Sequence, residues 1–92
     1  MTEYNVKFSN RFKRDLKIAR KRGYRIELLE EVVATLAKGE KLDPRYRDHE
    51  LSGNYENMRE CHITPDWLLV YQIFENELIL FLSRTGTHSD LF

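Results

Sequence analysis

The sequence predicts an α+β domain in which two N-terminal helices pack on a four-stranded, mainly antiparallel sheet, in the order β-α-α-β-β-β. Three observations support this fold class: an alternating segment at the start, two successive helical apolar stripes, and three strand-like segments in the C-terminal half. The chain has 92 residues, and single domains usually run to about 100 to 150 residues. We therefore expect one domain over residues 1–92.

The N-terminal part predicts a strand followed by two helices. The segment Glu3–Phe8 alternates in the manner of a strand. Ser9 or Asn10 then caps a first helix that ends near Gly23, and a second helix runs over Arg25–Lys38. We expect the two helices to form a hairpin. Their predicted buried stripes are Phe12, Leu16 and Ala19 in the first helix and Leu29, Val32, Val33 and Leu36 in the second.

The C-terminal part predicts a loop and three strands. Residues Glu40–Asn54 show no sustained periodicity and contain a proline and a glycine, which indicates an ordered connecting loop. Strands are predicted over Tyr55–Ile63, Trp67–Phe74 and Glu77–Arg84. The apolar run of the middle strand indicates burial on both faces. On the last strand, the residues predicted to share one face are Leu78, Leu80, Leu82 and Arg84.

The charge is distributed unevenly, although the net charge is zero. Residues 1–25 contain nine of the 15 Lys and Arg and two of the 15 Asp and Glu, which leaves six basic and thirteen acidic residues in the rest of the chain. The basic residues of the first helix, among them Lys13, Lys17 and Arg20, form either a solvated helix face or a surface for phosphates or an acidic partner.

Composition also limits the environment in which the protein works. Cys61 is the single cysteine and has no partner within the chain, and the first residues lack the pattern of a signal peptide. These features favour a cytoplasmic protein. No segment approaches the roughly 18 to 20 apolar residues that span a bilayer, so we expect no membrane insertion.

All three histidines, His49, His62 and His88, lie in the second half, where we expect the loop, a strand end and the tail. Asp66 follows His62 in the segment HITPDW, where Pro65 favours a turn that brings carboxylate and imidazole together. Imidazole titrates near pH 6.5, so this set is suited to proton transfer at neutral pH. A structural role for each histidine remains the alternative.

Other chemistries find little support in the residue spacing. Cys61 and His62 are neighbours on a predicted strand and point to opposite faces, which argues against both a thiol nucleophile and a shared metal site. No HxxxH, CxxC, GxSxG or GxxxxGK[ST] motif occurs. We therefore expect neither a metal nor another cofactor.

The remaining candidate is RNA cleavage by attack of the 2′-hydroxyl, which needs two proton transfers and a cation beside the phosphate. Arg84 can supply that cation through its planar set of donors. Trp67 either fills the edge of the core or stacks on a base, and Phe92 in the tail either packs or stacks.

Three segments, RDHELSG, RECHITPDWLLVY and RTGTHSDLF, resemble the YafQ branch of the RelE-like bacterial toxins. The resemblance covers roughly Tyr46–Phe92 and implies a RelE-like fold. It further implies a ribosome-dependent endoribonuclease that cuts messenger RNA in the decoding site without a metal. A cognate antitoxin would hold such a toxin inactive.

The resemblance also implies roles for individual residues. The acid–base set would be His49, His62, Asp66 and His88. In our interpretation His88 is the acid, and Asp66 acts with His62 or His49 on the 2′-hydroxyl. Arg84 would bind phosphate, the basic helix would contact ribosomal RNA, and the aromatic contacts to mRNA would be Trp67 and Phe92.

Two alternatives remain open at this point. Relatives on a similar fold inhibit DNA gyrase and do not cut RNA, so a non-enzymatic binding module is the first alternative. A metal-dependent nuclease is the second. The histidine set favours the ribonuclease over the inhibitor, and the lack of metal-ligand spacing favours it over the metalloenzyme.

Overall fold

The computed structural model describes residues 3–92 and confirms the α+β class, with more elements than the sequence predicts. Its five strands lie in the order β1-β5-β4-β3-β2, with β1 parallel to β5 and the other neighbours antiparallel. The elements are β1 Asn5–Phe8, α1 Asn10–Lys21, α2 Ile26–Ala37, β2 His49–Glu50, β3 Arg59–Thr64, β4 Trp67–Phe74, β5 Ile79–Gly86 and α3 His88–Leu91.

Helix α1 begins and ends where the sequence indicates. The Ser9 hydroxyl accepts a hydrogen bond from the Phe12 amide at 2.9 Å and donates to the Ser83 carbonyl at 2.7 Å, which ties the start of α1 to β5. The helix stops before Gly23, whose φ of 79° is unfavourable for other residues. Of the predicted apolar stripe, Phe12 and Ala19 are buried and Leu16 is half-buried.

The sheet separates two apolar clusters. On one face, α1 and α2 cover the main core, which includes Leu29, Val32 and Leu36 of α2. On the other face, Leu91 of α3 packs on Leu68 and Val70 of β4. Strand β4 is thus buried on both sides, as its unbroken apolar run predicts. The second face carries the candidate site.

The predicted four strands and two helices differ in detail from the five strands and three helices of the structure, and β5 spans Ile79–Gly86 instead of Glu77–Arg84. The predicted loop Glu40–Asn54 contains β2 and two short 3-10 turns, Pro44–Tyr46 and Gly53–Tyr55. Strand β3 begins at Arg59 rather than Tyr55, because Tyr55 closes the second turn. The tail forms a third helix, α3, which the sequence does not predict. A two-residue strand and a four-residue helix are too short to produce a periodic pattern.

Because of a β-bulge in β5, Arg84 points to the opposite face of the sheet from the one predicted. Leu82 pairs with Tyr71 while Arg84 pairs with Val70, so one extra residue, Ser83, is inserted between them. This insertion moves Arg84 from the face of Leu82 to the face of Val70. Leu78 also differs from its prediction, since it lies before β5 in a turn with a φ of 55° and is exposed.

Within residues 3–92, no helix is long and apolar enough to cross a membrane. The longest helices, α1 and α2, have 12 residues each.

Candidate active site

Two histidines meet a buried carboxylate on the sheet face opposite α1 and α2. His49 pairs with Glu60 across β2 and β3, and His62 lies two residues after Glu60, so all three side chains share one face. The Glu60 Oε1 atom lies 3.4 Å from His49 Nε2 and 3.7 Å from His62 Nε2. The residue Glu60 is only 7% exposed. The carboxylate therefore lies between the two imidazoles and beneath the surface.

Backbone carbonyl groups fix the other ring nitrogens of these histidines. His49 Nδ1 lies 2.7 Å from the Arg47 carbonyl and His62 Nδ1 lies 3.4 Å from the Pro65 carbonyl. A carbonyl oxygen can only accept, so these contacts favour the tautomer in which Nδ1 carries the proton. The Nε2 atom of each ring then faces the Glu60 carboxylate.

Strand β2 is short, and Asp48 fixes its start. The Asp48 carboxylate accepts a hydrogen bond from the hydroxyl of buried Tyr71 and another from Arg59 Nη2 at 3.1 Å. Burial raises the pKa of Tyr71 well above its ordinary value, and the bond to Asp48 adds to this effect. Tyr71 therefore stays protonated as a donor, and the residue after Asp48, His49, is held in place.

A second part of the site lies where the β3–β4 turn faces α3. His62, Asp66 and His88 line one open cavity of about 500 Å³, together with Tyr24 and Leu68. Asp66 is exposed in the turn between β3 and β4, and His88 is exposed at the first position of α3. The fold thus brings together three of the predicted acid–base residues, and Glu60 links the fourth, His49, to His62.

The position of His88 depends on how α3 is anchored. Thr87 and Asp90 form a capping box, in which the Thr87 amide donates to Asp90 Oδ2 at 2.9 Å and the Asp90 amide donates to Thr87 Oγ1 at 3.2 Å. Arg22 at the end of α1 adds two bonds to the Asp90 carboxylate, at 2.6 and 3.2 Å. The bond from Arg22 holds the pKa of Asp90 well below its usual range, so Asp90 remains a carboxylate at physiological pH.

Arg84 is held by an acidic residue of α1 that the sequence did not single out. Its Nε and Nη2 atoms donate to the two oxygens of Asp15 at 2.7 and 3.1 Å, and the Thr85 amide donates to Asp15 Oδ2 at 3.1 Å. The bond to Asp15 raises the pKa of Arg84. Arg84 does not line the cavity of His62 and lies instead in neighbouring clefts, one of which contains Phe92.

The two predicted aromatic contacts have different environments. Trp67 is 2% exposed, and its Nε1 donates to Thr85 Oγ1 at 2.8 Å while its ring packs 5.0 Å from that of Tyr24. The indole is therefore part of the core, which favours the first of the two roles that the sequence leaves open for Trp67. Phe92 is 46% exposed and its ring lies 5.2 Å from that of His88. Phe92 thus remains available for stacking.

The predicted basic surface of α1 faces solvent. Lys13, Lys17 and Arg20 are all exposed, and none of them forms an ion pair with another residue of the range 3–92. The Lys13 ammonium lies over the Phe8 ring, 5.4 Å from its centroid. Their positive charges are therefore not neutralised within the described part of the chain.

Cys61 lies in the main core, on the opposite face of β3 from His62, as its neighbouring position predicts. Burial raises the pKa of its thiol to about 12, so the nucleophilic thiolate is not formed near neutral pH. In the described range, no three His, Cys, Asp or Glu side chains are arranged to hold a metal ion.

Sequence reasoning missed several residues of the site. Glu60 was detectable, because it alternates with His62 on a predicted strand. Asp15 and Arg22 were not, because their partners are 69 and 68 residues away in sequence. Arg45 and Arg47 also line a cleft with His62, of about 510 Å³, and they come from the segment predicted as a loop.

Comparison with known proteins points to one family. A family described as "Bacterial toxin of type II toxin-antitoxin system, YafQ" matches residues 4–92. The chain is 32% identical over 93 aligned positions to the mRNA interferase toxin YafQ of Escherichia coli K12, an alignment that covers 100% of this chain and 99% of that protein.

Solved structures agree with this similarity. The metal-bound toxin from Helicobacter pylori is 48% identical with a TM-score of 0.92, covering 97% of this chain and 99% of that one. In the E. coli DinJ-YafQ toxin-antitoxin complex, the matched chain is 32% identical with a TM-score of 0.89 and 98% coverage of both chains.

Proposed function

Because this chain belongs to the YafQ family of bacterial toxins of type II toxin-antitoxin systems, we propose that it is an mRNA interferase, an endoribonuclease that cleaves messenger RNA. In this proposal, cleavage takes place on the ribosome, in the cytoplasm and without a metal ion. The E. coli relative is named an mRNA interferase toxin, which supports the reaction class.

The observation that carries the proposal is the gathering of His62, Asp66 and His88 around one open cavity, with His49 connected to His62 through Glu60. These residues come from three separate parts of the chain. Packing alone does not require them to converge, because His49, Asp66 and His88 are exposed. Proton donors and acceptors on opposite sides of one cleft are what cleavage by the 2′-hydroxyl needs.

The reaction assigns one proton transfer to each side of the cleft. On the sheet side, Asp66 with His62 or His49 takes the proton from the 2′-hydroxyl, whose oxygen then bonds to the phosphorus. The bond from phosphorus to the 5′-oxygen breaks, and His88 on α3 donates a proton to that oxygen. The products are a 2′,3′-cyclic phosphate and a 5′-hydroxyl, so no water is consumed in this step.

Cations around the cleft stabilise the charge that develops on the phosphate. Arg84, which lies in the neighbouring clefts, is the cation proposed from the sequence, and its bonds to Asp15 leave other guanidinium N–H groups free to donate to the phosphate. Arg45 and Arg47 add positive charge on the far side of His62. Phe92 offers an exposed ring for a base beside His88.

Two partners follow from the proposal. The exposed basic face of α1, with Lys13, Lys17 and Arg20, contacts ribosomal RNA. A cognate antitoxin neutralises the toxin, by analogy with the E. coli protein, which has been solved as a toxin-antitoxin complex with DinJ.

The test is to induce the protein in bacteria and map new RNA 5′ ends, with a His88→Gln variant as the matched control. We expect cuts within translated codons that disappear in the variant. Purified protein should cut mRNA only when ribosomes are added. Growth arrest with intact mRNA would refute the ribonuclease and favour an inhibitor on the same fold.

A further inference from the structure

A second cleft lies beside the proposed cleavage site, between the start of α1 and the same face of the sheet. It has a volume of about 220 Å³. Two arginines and two aromatic residues from four different parts of the chain line it. Its apolar lining includes Leu91, which also packs in the smaller apolar cluster with Leu68 and Val70. The four residues are Arg11, Tyr55, Arg84 and Phe92.

The aromatic pair leaves ring surface uncovered. Tyr55 is 39% exposed and Phe92 is 46% exposed. Their ring centroids are 5.1 Å apart with an interplanar angle of 75°, an edge-to-face contact. In such a contact the edge of one ring meets one face of the other, so the remaining ring faces are open toward the cleft and solvent. Aromatic rings that only fill the apolar core would be buried and would not be exposed to this extent.

The charge of the cleft is positive. Arg11 is exposed in the first turn of α1 and forms no ion pair with any residue of the range 3–92. Arg84 has Asp15 as its partner, so its charge is partly neutralised. Arg11 is therefore the cation of this cleft whose charge is not compensated, and it stands beside exposed aromatic rings. This pairing is typical of sites for single-stranded nucleic acid.

We propose that this cleft is a second nucleotide subsite, which binds a nucleotide that flanks the cleaved linkage in the same RNA strand. Arg11 contacts the phosphate, and the base stacks on Tyr55 and Phe92. The inference rests on the proposed ribonuclease function, since the strand must also cross the cleft of His62 and His88.

Continuity between the two clefts supports the same strand in both. The Phe92 ring lies 5.2 Å from the His88 ring and 5.1 Å from the Tyr55 ring, measured between centroids, so it connects the two clefts. A strand held at His88 for cleavage therefore passes Phe92 before it reaches Tyr55. The volume of this cleft is below the roughly 300 to 1,000 Å³ of pockets for larger ligands, which fits a single base.

The first experiment is a titration of isotope-labelled protein, followed by NMR, with a single-stranded trinucleotide that carries 2′-deoxyribose at every position and so cannot be cleaved by 2′-hydroxyl attack. We expect shifts at Arg11, Tyr55 and Phe92 together with shifts at His62 and His88. Tripolyphosphate serves as the probe for charge alone and should shift Arg11 without the aromatic residues. An unperturbed Arg11–Tyr55 cleft, or the same shifts with tripolyphosphate, would overturn the subsite.

The second experiment uses variants with matched controls in the ribosome-dependent cleavage assay. Arg11→Ala and Tyr55→Ala should raise KM about 5-fold or more, the loss expected for one stacked base or one phosphate contact, with kcat little changed. Tyr55→Phe should retain KM because it retains the ring. Arg14→Ala removes an equal charge from the next turn of α1, outside the cleft. It therefore shares with Arg11→Ala any loss of ribosome contact, and it should raise KM less than Arg11→Ala does.

These readouts separate the subsite from the function on which it rests. Equal KM values for Arg11→Ala and Arg14→Ala would overturn the subsite and leave RNA cleavage intact. Conversely, trinucleotide binding in both clefts without any cleavage on the ribosome would retain the subsite and refute the ribonuclease. An acidic peptide that shifts the cleft residues where RNA does not would also overturn the nucleotide assignment.

Discussion

The bond between Asp15 and Arg84 leads to the most specific prediction about stability. Asp15 is 9% exposed and accepts three N–H donors, two from Arg84 and one from the Thr85 amide. Replacing Asp15 with Ala leaves the Arg84 guanidinium, with its side chain 22% exposed, without its partner. It also leaves the buried Thr85 amide without an acceptor.

The expected loss follows from these two effects. Removing one partner of a buried ion pair costs about 3 to 5 kcal/mol, and partial exposure of Arg84 places this case at the lower end. An unsatisfied buried amide costs about 1 to 3 kcal/mol. The same substitution causes both losses, so the two costs overlap and are not added. We expect Asp15→Ala to lower the free energy of unfolding by about 3 kcal/mol, which in a domain of this size lowers Tm by about 12 to 24 °C.

Thermal and urea unfolding followed by circular dichroism measure this loss. Asp15→Asn is the matched control, because its amide oxygen still accepts from the Thr85 amide while the charge opposite Arg84 is lost. It should destabilise the protein less than Asp15→Ala. A loss below about 1 kcal/mol for Asp15→Ala, the range of an exposed ion pair, would refute the description of Asp15 as the buried partner of Arg84.

Three further predictions concern the proposed function. His88→Ala should relieve growth arrest while Tm stays within a few degrees, because His88 is exposed and the capping box uses Thr87 and Asp90; an unfolded variant would make His88 structural. Cleavage should persist when excess chelator is present under conditions that leave the ribosomes intact. Activity that is lost with the chelator and returns only when a metal ion is added would contradict the acid–base mechanism. Charge reversal at Lys13, Lys17 and Arg20 should weaken ribosome binding and flatten its salt dependence; unchanged binding at every salt concentration would leave α1 as a solvated face.

The sequence predicts those elements in which apolar side chains recur at regular spacing over several helical turns or strand residues. Helix α2 and strand β4 are long enough to show their buried faces, and Ser9 and Gly23 mark the ends of α1 through local chemistry. Strand β2 and helix α3 are too short for any period and depend on partners elsewhere in the chain, such as Asp48 with Tyr71 and Asp90 with Arg22.

The candidate site is predictable to a similar extent. Three histidines outside predicted helices, together with Asp66, identify the residues of the cleft, and no local rule shows that Glu60 is buried between His49 and His62. The position of Arg84 depends on one inserted residue, Ser83, which changes the face of the strand. Trp67 shows a different limit, because a tryptophan next to the candidate acid–base residues in sequence is equally suited to the core, where the structure places it.

The most direct test of the central claim is cleavage of a messenger RNA with a single 2′-deoxy nucleotide immediately before the scissile phosphate. In the proposed mechanism imidazoles and a carboxylate move protons, a guanidinium stabilises charge, and the 2′-hydroxyl of the substrate is the nucleophile. The deoxy messenger should bind in the ribosome complex as well as normal RNA and resist cleavage, and normal RNA should yield a 2′,3′-cyclic phosphate. Cleavage of the deoxy messenger at a comparable rate would show that water is the nucleophile, and would contradict the roles proposed for His49, His62, Asp66 and His88.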